Sequence, residues 1–288
     1  MSLPIIALFC CLDDFSRIYE DWERHGLIGE GGRRREGKLS LSEMLLIMVL
    51  FHTSPFKNFK YFYLHGVSCG KYRSYFSEVP AYERFVALMP RLLLPLSVLL
   101  HALKGEETGI YFADSTKLAV CHNKRISRNK VFKGLAARGK TTMGWFYGLK
   151  LHVVINHKGE IMAVKITPGN TSDSAALRNM VRALTGKLFA DKGYIGKKLF
   201  RQLWEQGLHL ITGIRKNMKN YLMPWLDKIL LRRRFLIETF FDNLKSSMGL
   251  EHSRHRSPIN AMVHILSCLV AYCFKPGKPA INTTVIYP

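Results

Sequence analysis

Apolar and polar positions change rhythm near residue 108. Before it, apolar residues come in long runs punctuated by cap residues and prolines, which predicts a mostly helical region over 1–105. The segment "SLSEMLLIMVLFHTS" (40–54) opens with Ser and Glu at cap positions and then turns apolar. The segment "PAYERFVALMPRLLLPLSVLLHAL" (80–103) is broken by prolines into two short helices. Between them, "FKNFKYFYLHGV" mixes aromatics with lysines, and "EGGRRREGK" (30–38) is a glycine- and charge-rich loop. Two readings of this region stay open: a helical DNA-binding module of helix-turn-helix type, or a helical cap on the core.

After residue 108 the rhythm becomes that of strands. "GIYFADST" (109–116), "WFYGLKLHVVIN" (145–156) and "EIMAVKIT" (160–167) read as strands, the last two joined by a turn at "HKG". "CHNKRISRNKVFKGLAARGKTTMG" (121–144) reads as a long basic connection. A helix follows over 172–186, with Ser172 or Asp173 as N-cap and Gly186 as C-cap. Then come a strand (187–194), a helix (196–207), a strand (208–216) and a helix (234–249). Three strands followed by alternating helices and strands predict a mixed sheet with helices on both faces. The expected division is a helical region to 105, an α/β domain over 106–255, and a C-terminal helix and tail over 256–288.

Composition narrows the partners. The 288-residue chain is 48% hydrophobic, enough for a sizeable core, and carries a formal net charge of +22. That excess calls for a polyanion, nucleic acid ahead of an acidic membrane surface. The apolar stretch "INAMVHILSCLVAYCF" (259–274) is short for a membrane span and contains His264, so a buried helix is expected. "LPIIALFCCL" (3–12) has no preceding base and is followed by two aspartates, unlike a signal peptide. Six cysteines without a C-x-x-C pair point to reduced thiols rather than a zinc site, and to a cytoplasmic protein.

Three carboxylates stand out. Asp114 ends the apolar run "IYFAD" and Asp191 ends "KLFAD", although aspartate is depleted in strands. Strand ends in α/β sheets form the usual ligand edge. As a helix, 234–249 buries Leu236, Ile237, Phe240, Phe241, Leu244 and Met248 and lines Arg234, Glu238, Asp242 and Lys245 along one edge. Converging carboxylates repel unless a cation joins them, and oxygen ligands suit Mg²⁺ or Mn²⁺. Taken alone, the helix would read as a solvated face with an Arg234–Glu238 pair, and "DKG" as a turn. Taken together, Asp114, Asp191 and Glu238 read as metal ligands and catalytic groups for in-line phosphodiester displacement with two metal ions.

These stretches resemble DDE transposases of bacterial insertion sequences, most closely the insertion sequence 982 family among the insertion sequence 4-like relatives. The resemblance covers nearly the whole chain. It is carried by "YFADST", "VFKGLAARGKTTMGWFYGLKLHVVIN", "ITPGNTSDS", "ADKGYIG" and "RFLIETFFDNLK" with "LEHSRHRS" after it. The relatives' tail signature Y-x2-R-x3-E-x6-K is matched at Arg234, Glu238 and Lys245, while Leu231 stands at the tyrosine position. The resemblance implies an RNase H-like mixed sheet and the trio Asp114, Asp191 and Glu238. It implies a protein that binds the inverted repeats of its own element in double-stranded DNA, cleaves there and joins 3′-hydroxyls to target DNA. Homo-oligomers on the DNA and a place on the nucleoid are further implications. The short Asp191–Glu238 interval leaves no room for the inserted domain of some relatives.

Around the trio, Arg234 and Lys245 are candidate phosphate contacts; their alternative is ion pairing to Glu238 or Asp242. Arg232 and Arg233 are candidates to compensate for Leu231. Lys124, Arg125, Arg128, Lys130 and Lys133, with Lys117, Arg138 and Lys140, could track a DNA backbone. Asp242 is the rival third ligand. Trp145, Phe146 and Tyr147 are expected as core or strand residues, and Asn170 and Asp173 as turn and cap. His252 and His255 are minor candidates for DNA contact. Two other functions share these features: a metal-dependent endonuclease of the same fold without strand transfer, and an inactive DNA-binding remnant acting as a repressor.

Overall fold

The computed structural model describes residues 4–25, 37–142, 144–215, 217–218, 222–251 and 255–281. The chain forms two compact units. The first comprises Met1–Leu103, Ser246–Leu250 and Arg256–Pro276; the second comprises Lys104–Lys245, Glu251–His255 and Gly277–Pro288.

The first unit is helical: α1 (Ile5–His25), α2 (Leu41–Thr53), α3 (Phe59–Phe62), α4 (Tyr82–Leu88), α5 (Leu93–Ala102) and α10 (Pro258–Cys273). The expected cap on α2 is a full capping box: Ser40 Oγ accepts from the Glu43 N–H, and Glu43 accepts from the Ser40 N–H. Every residue from Met44 to His52 is buried, as an all-round apolar helix requires. α1 turns Leu8, Leu12, Ser16 and Tyr19 inward at helical spacing. Between α4 and α5 a 3₁₀ turn at Met89–Leu92 contains Pro90, the expected break. The run Tyr82–Ala102 is long and apolar enough by composition to cross a bilayer. Within this unit, its Phe85, Met89, Leu92, Leu96 and Leu99 are buried. The final helix, set apart with the tail in the sequence reading, packs in this unit against α2 and α5. His52 fastens the three segments, meeting the Met248 carbonyl at 2.7 Å and Ser267 Oγ at 2.9 Å.

The second unit is built on a six-stranded mixed sheet: β1 (Ile110–Cys121), β2 (Ala137–Thr141), β3 (Gly144–Asn156), β4 (Ile161–Pro168), β5 (Gly186–Ala190) and β6 (Leu208–Thr212). The order is β2-β3-β1-β5-β6, with β4 also paired to β3. The β1–β3, β2–β3 and β3–β4 pairs are antiparallel; β1–β5 and β5–β6 are parallel. Helices α6 (Asp173–Met180), α7 (Lys197–Glu205), α8 (Trp225–Arg232) and α9 (Phe235–Asp242) accompany it. Tyr111, Ala113, Val154 and Leu188 share one core with Leu177 of α6 and Leu199 and Leu203 of α7. Phe112 and Phe189, of opposite parity on their strands, stack on each other.

Four details depart from the sequence reading. The basic connection contains a 3₁₀ helix (Asn123–Arg128) and the edge strand β2, which continues the β3 ladder. Helix α8 lies in a stretch read as a loop, and the helix read over 234–249 gives way after Asp242 to a π turn. α6 ends at Met180, so Gly186 is not its C-cap. Gly186 opens β5 at φ +106°, where a Cβ would meet the Gly109 carbonyl at 2.4 Å, so β5 starts only with glycine there. Of the 208–216 strand reading, Leu208–Thr212 is strand and residue 216 lies outside the described residues, as does most of the 30–38 loop reading.

Candidate active site

β1 and β5 pair in parallel up to Ala113 and Ala190. The next residues are Asp114 and Asp191, so the strand spacing of about 4.8 Å puts the two aspartates side by side. β1 continues, with Asp114 opposite Val153 of β3, whereas Asp191 leaves the sheet into a short turn, Lys192–Tyr194. Asp114 is therefore inside a long strand rather than at its end. Strand alternation aims Asp114 and Asp191 to the face of Phe112 and Phe189, and Ser115 to the opposite face.

α9 supplies the third carboxylate. Leu236, Ile237, Phe240 and Phe241 are buried, which leaves Glu238 on the outer edge, 57% exposed. Arg234, just before the helix, bridges the groups: Nη2 donates to Glu238 Oε1 at 2.9 Å and Nη1 faces Asp114 Oδ2 at 3.4 Å. Asp114 Oδ1 accepts from the Ser115 N–H at 2.8 Å. Burial raises the Asp114 carboxyl to about 6, reinforced by the charges of Asp191 and Asp173 and opposed by the Ser115 N–H and Arg234.

A second polar cluster lies on the other side of β1. Asp173 Oδ1 accepts from Ser115 Oγ at 2.8 Å and Lys150 Nζ at 3.2 Å, and stands 3.6 Å from His152 Nδ1. Asp173 is thus a strand-to-helix tie rather than the simple cap expected, and Ser172, at the cap position, makes no side-chain cap bond. Lys150 and His152, two residues apart in an apolar strand, were the signal for this cluster, and sequence reasoning did not use them. Tyr194 is buried beside it, its hydroxyl raised by burial and by the neighbouring Asp114 and Asp173 charges.

Burial pushes His152 down to about 4. A histidine depressed below its ordinary 6.5 favours folding while neutral, so its contribution is complete above 6.5 and is lost as pH falls from 6.5 toward 4. Asp114 changes stability in the opposite direction over part of this window. In an Asp114→Asn background, urea stability is therefore expected to fall between these pH values. Substituting His152 with Gln should flatten that slope; an unchanged slope would show that the histidine titrates normally.

The other site candidates divide by geometry. Lys245 pairs with Glu251 at 2.8 Å and donates to the Lys117 carbonyl at 3.3 Å, rather than to Glu238 or Asp242. Arg232 and Arg233 are exposed at the end of α8. Lys124, Arg125 and Arg128 on the 3₁₀ helix, Lys130 and Lys133 after it, and Arg138 and Lys140 on β2 are all exposed. Trp145 is 62% exposed with Lys140 over its ring, whereas Phe146 is buried: the strand placement holds, but Trp145 is no core residue. Asp242 is exposed one turn beyond Glu238, and Asn170 is exposed. His252 lies outside the described residues, and His255 is half-buried.

The donor set is all carboxylate oxygen, the chemistry that suits Mg²⁺ or Mn²⁺. Behind burial, the Asp191 charge also raises Asp114, and a divalent cation between the two would relieve that repulsion. Among the described residues no group of three or more His, Cys, Asp or Glu stands assembled for a metal ion. Arg234 is what stands between Asp114 and Glu238.

The sheet brings Asp114 and Asp191 together and Arg234 links Asp114 to Glu238; comparison with known proteins gives the family. The chain belongs to the transposase DDE domain family, whose model matches residues 104–258. It is therefore a transposase, of a metal-dependent class of enzymes that cleave or transfer DNA strands. It is 26% identical over 125 residues to a Brucella ovis protein named as a transposase for insertion sequence element IS6501, covering 42% of this chain and 95% of that one. The fold resembles that of the piggyBac transposase in its synaptic complex with hairpin DNA. That likeness has a TM-score of 0.54 at 10% identity, over 94% of this chain and 74% of that one. A pre-cleavage Mos1 transpososome aligns with a TM-score of only 0.26, too low to bear on the fold.

Proposed function

We propose that this transposase acts on the ends of its own insertion sequence, an element of the insertion sequence 982 type, through an RNase H-like domain whose working carboxylates are Asp114, Asp191 and Glu238. The observation that carries this reading is that the parallel β1–β5 pairing ends at Ala113 and Ala190, so that Asp114 and Asp191 follow it together, with Glu238 joined to Asp114 through Arg234. Two Mg²⁺ or Mn²⁺ ions held by these groups would supply a nucleophile at neutral pH and neutralise charge on the leaving oxygen. The sheet holds Asp114, the end of β5 presents Asp191, and α9 carries Glu238. In this reading Arg234, Arg232 and Arg233 take phosphates beside the trio, and Lys245 joins them on leaving Glu251. The exposed bases from Lys124 to Lys133, with Arg138 and Lys140, form a sequence-blind track for the duplex. In the reaction, water breaks a phosphodiester at the element end and leaves a 3′-hydroxyl. That hydroxyl then attacks a target phosphodiester, exchanging one P–O bond for another.

The helical unit would contribute to end recognition, and two copies would hold two ends, on nucleoid DNA in the bacterial cytoplasm. The test uses duplex DNA carrying the repeats that flank the gene, with Mg²⁺. Wild type should nick at the ends and join. Glu238→Gln should lose both activities and still bind DNA, while Asp242→Asn should retain them. Nicking that survives Glu238→Gln but not Asp242→Asn would move the third carboxylate to Asp242. Cleavage without end preference or joining would favour an endonuclease of the same fold, and DNA binding without cleavage by wild type would favour the repressor remnant.

A further inference from the structure

Arg234 does more than stand near the trio. Its two terminal nitrogens engage two different carboxylates, Asp114 through Nη1 and Glu238 through Nη2. Both acceptors belong to the proposed metal site. Arg234 is only 23% exposed, and Asp114 is 24% exposed. The Asp114 arm is thereby shielded and stronger than a surface pair, whereas the Glu238 arm reaches a carboxylate that is 57% exposed. A guanidinium also carries a fixed positive charge, so it cannot vacate the site by losing a proton.

A small divalent ion needs ligand oxygens at about 2.1 Å, hence close to one another. Here the Asp114 and Glu238 oxygens lie on two arms of a planar group that fills the space between them. Guanidinium and metal therefore compete for the same oxygens. The fork that fits two carboxylates fits a phosphate equally well. A DNA phosphate arriving beside the trio offers Arg234 an alternative partner and leaves both carboxylates to the cation.

We propose that Arg234 is an internal counter-ion that closes the site in the free protein, and that DNA opens it by drawing the guanidinium onto a phosphate. The inference rests on the reading of Asp114 and Glu238 as metal ligands. Its consequence is coupling: metal and DNA each tighten the binding of the other, and by linkage the two enhancements are equal. A transposase built this way stays uncharged with metal until it is on DNA, which limits stray cleavage.

The experiment measures Mn²⁺ affinity by electron paramagnetic resonance, which does not depend on turnover. Wild type, Arg234→Gln and Arg234→Lys are titrated from metal-free stocks, free and with a duplex carrying the gene's flanking sequence, each spectrum being taken before cleavage sets in. Thermal melts confirm that each variant is folded. Without DNA, Arg234→Gln should bind Mn²⁺ at least about tenfold more tightly than wild type, equivalent to about 1.4 kcal/mol. Arg234→Lys, which has charge but no fork, should fall between them. Duplex should tighten Mn²⁺ binding to wild type and change Arg234→Gln little. Equal or weaker Mn²⁺ binding by folded Arg234→Gln, or the same DNA enhancement in both proteins, overturns the proposal. Asp114→Asn separates the two levels. If it abolishes Mn²⁺ binding that Arg234→Gln leaves unchanged, only the latch fails. If it changes nothing, the metal site itself is wrong and the latch falls with it.

Discussion

Asp114→Asn is expected to abolish strand cleavage and, at the same time, to make the protein more stable. Loss of a metal-ligating catalytic carboxylate should lower the rate by roughly a thousandfold or more. The stability gain follows from the electrostatics of the free protein. Burial and the charges of Asp191 and Asp173 raise Asp114 to about 6 from its ordinary 3.8. A folded value above the unfolded one means that the group supports folding fully below 3.8 and loses that contribution as pH rises through about 6. Above that, ionised Asp114 opposes folding by about 2 to 3 kcal/mol. The amide is nearly the same shape and carries no charge. Urea unfolding at pH 8 should therefore show a higher midpoint for Asp114→Asn, and the advantage should vanish near pH 4. A lower midpoint at pH 8 would mean that the pair with Arg234 outweighs desolvation. Stability held below its optimum by a buried functional carboxylate is the ordinary trade-off of a functional site.

The second large effect lies at the hairpin between β3 and β4. Asn156 is fully buried and uses its whole bonding capacity. Its oxygen accepts from the Lys158 and Glu160 N–H groups at 3.0 and 2.9 Å. Its nitrogen donates to the Glu106 carbonyl at 3.1 Å and to Glu160 Oε2 at 2.7 Å. Asn156→Ala strands these partners and leaves a small void, which should lower stability by roughly 3 kcal/mol. Asn156→Asp keeps both accepting bonds but loses the donors and sets a charge beside Glu160, so it should cost at least as much. The metal affinity of each variant, measured where it is still folded, should be unchanged. A loss below about 0.5 kcal/mol for alanine would show that water replaces the asparagine at this turn.

Much of this was legible along the chain because the signals are local. The capping box of α2 needs only Ser40 and Glu43 three residues apart. The break between α4 and α5 needs only Pro90, and β3 and β4 are announced by apolar runs around a turn. The candidate trio could be picked out only as a set: Asp114 and Asp191 each end an apolar run, and Glu238 lies between Arg234 and Lys245 at the relatives' spacing. The elements that went unread have weak local signals. β2 reads "ARGKT", and its strand character comes from hydrogen bonds lent by β3. α8 is one short amphipathic segment that is stable because Leu230 is buried and Asp227 meets Lys187 at 2.7 Å.

The sequence by itself determined the helical and mixed α/β regions, the excess of positive charge and the three carboxylates, because periodicity, composition and short motifs are properties of neighbours along the chain. Only the tertiary structure decided that Asp114 lies within a strand with Asp191 beside it, and that Arg234 spans Asp114 and Glu238. It alone decided that Lys245 turns to Glu251, and that the last helix packs with α2 and α5. Asp114 with Asp191, Arg234 with Asp114, and the last helix with α2 and α5 pair residues far apart in sequence, while Lys245 chose among near neighbours. Several partners of suitable charge or apolarity were available to each, and the choice among them rests on sheet register and on which helix face is buried.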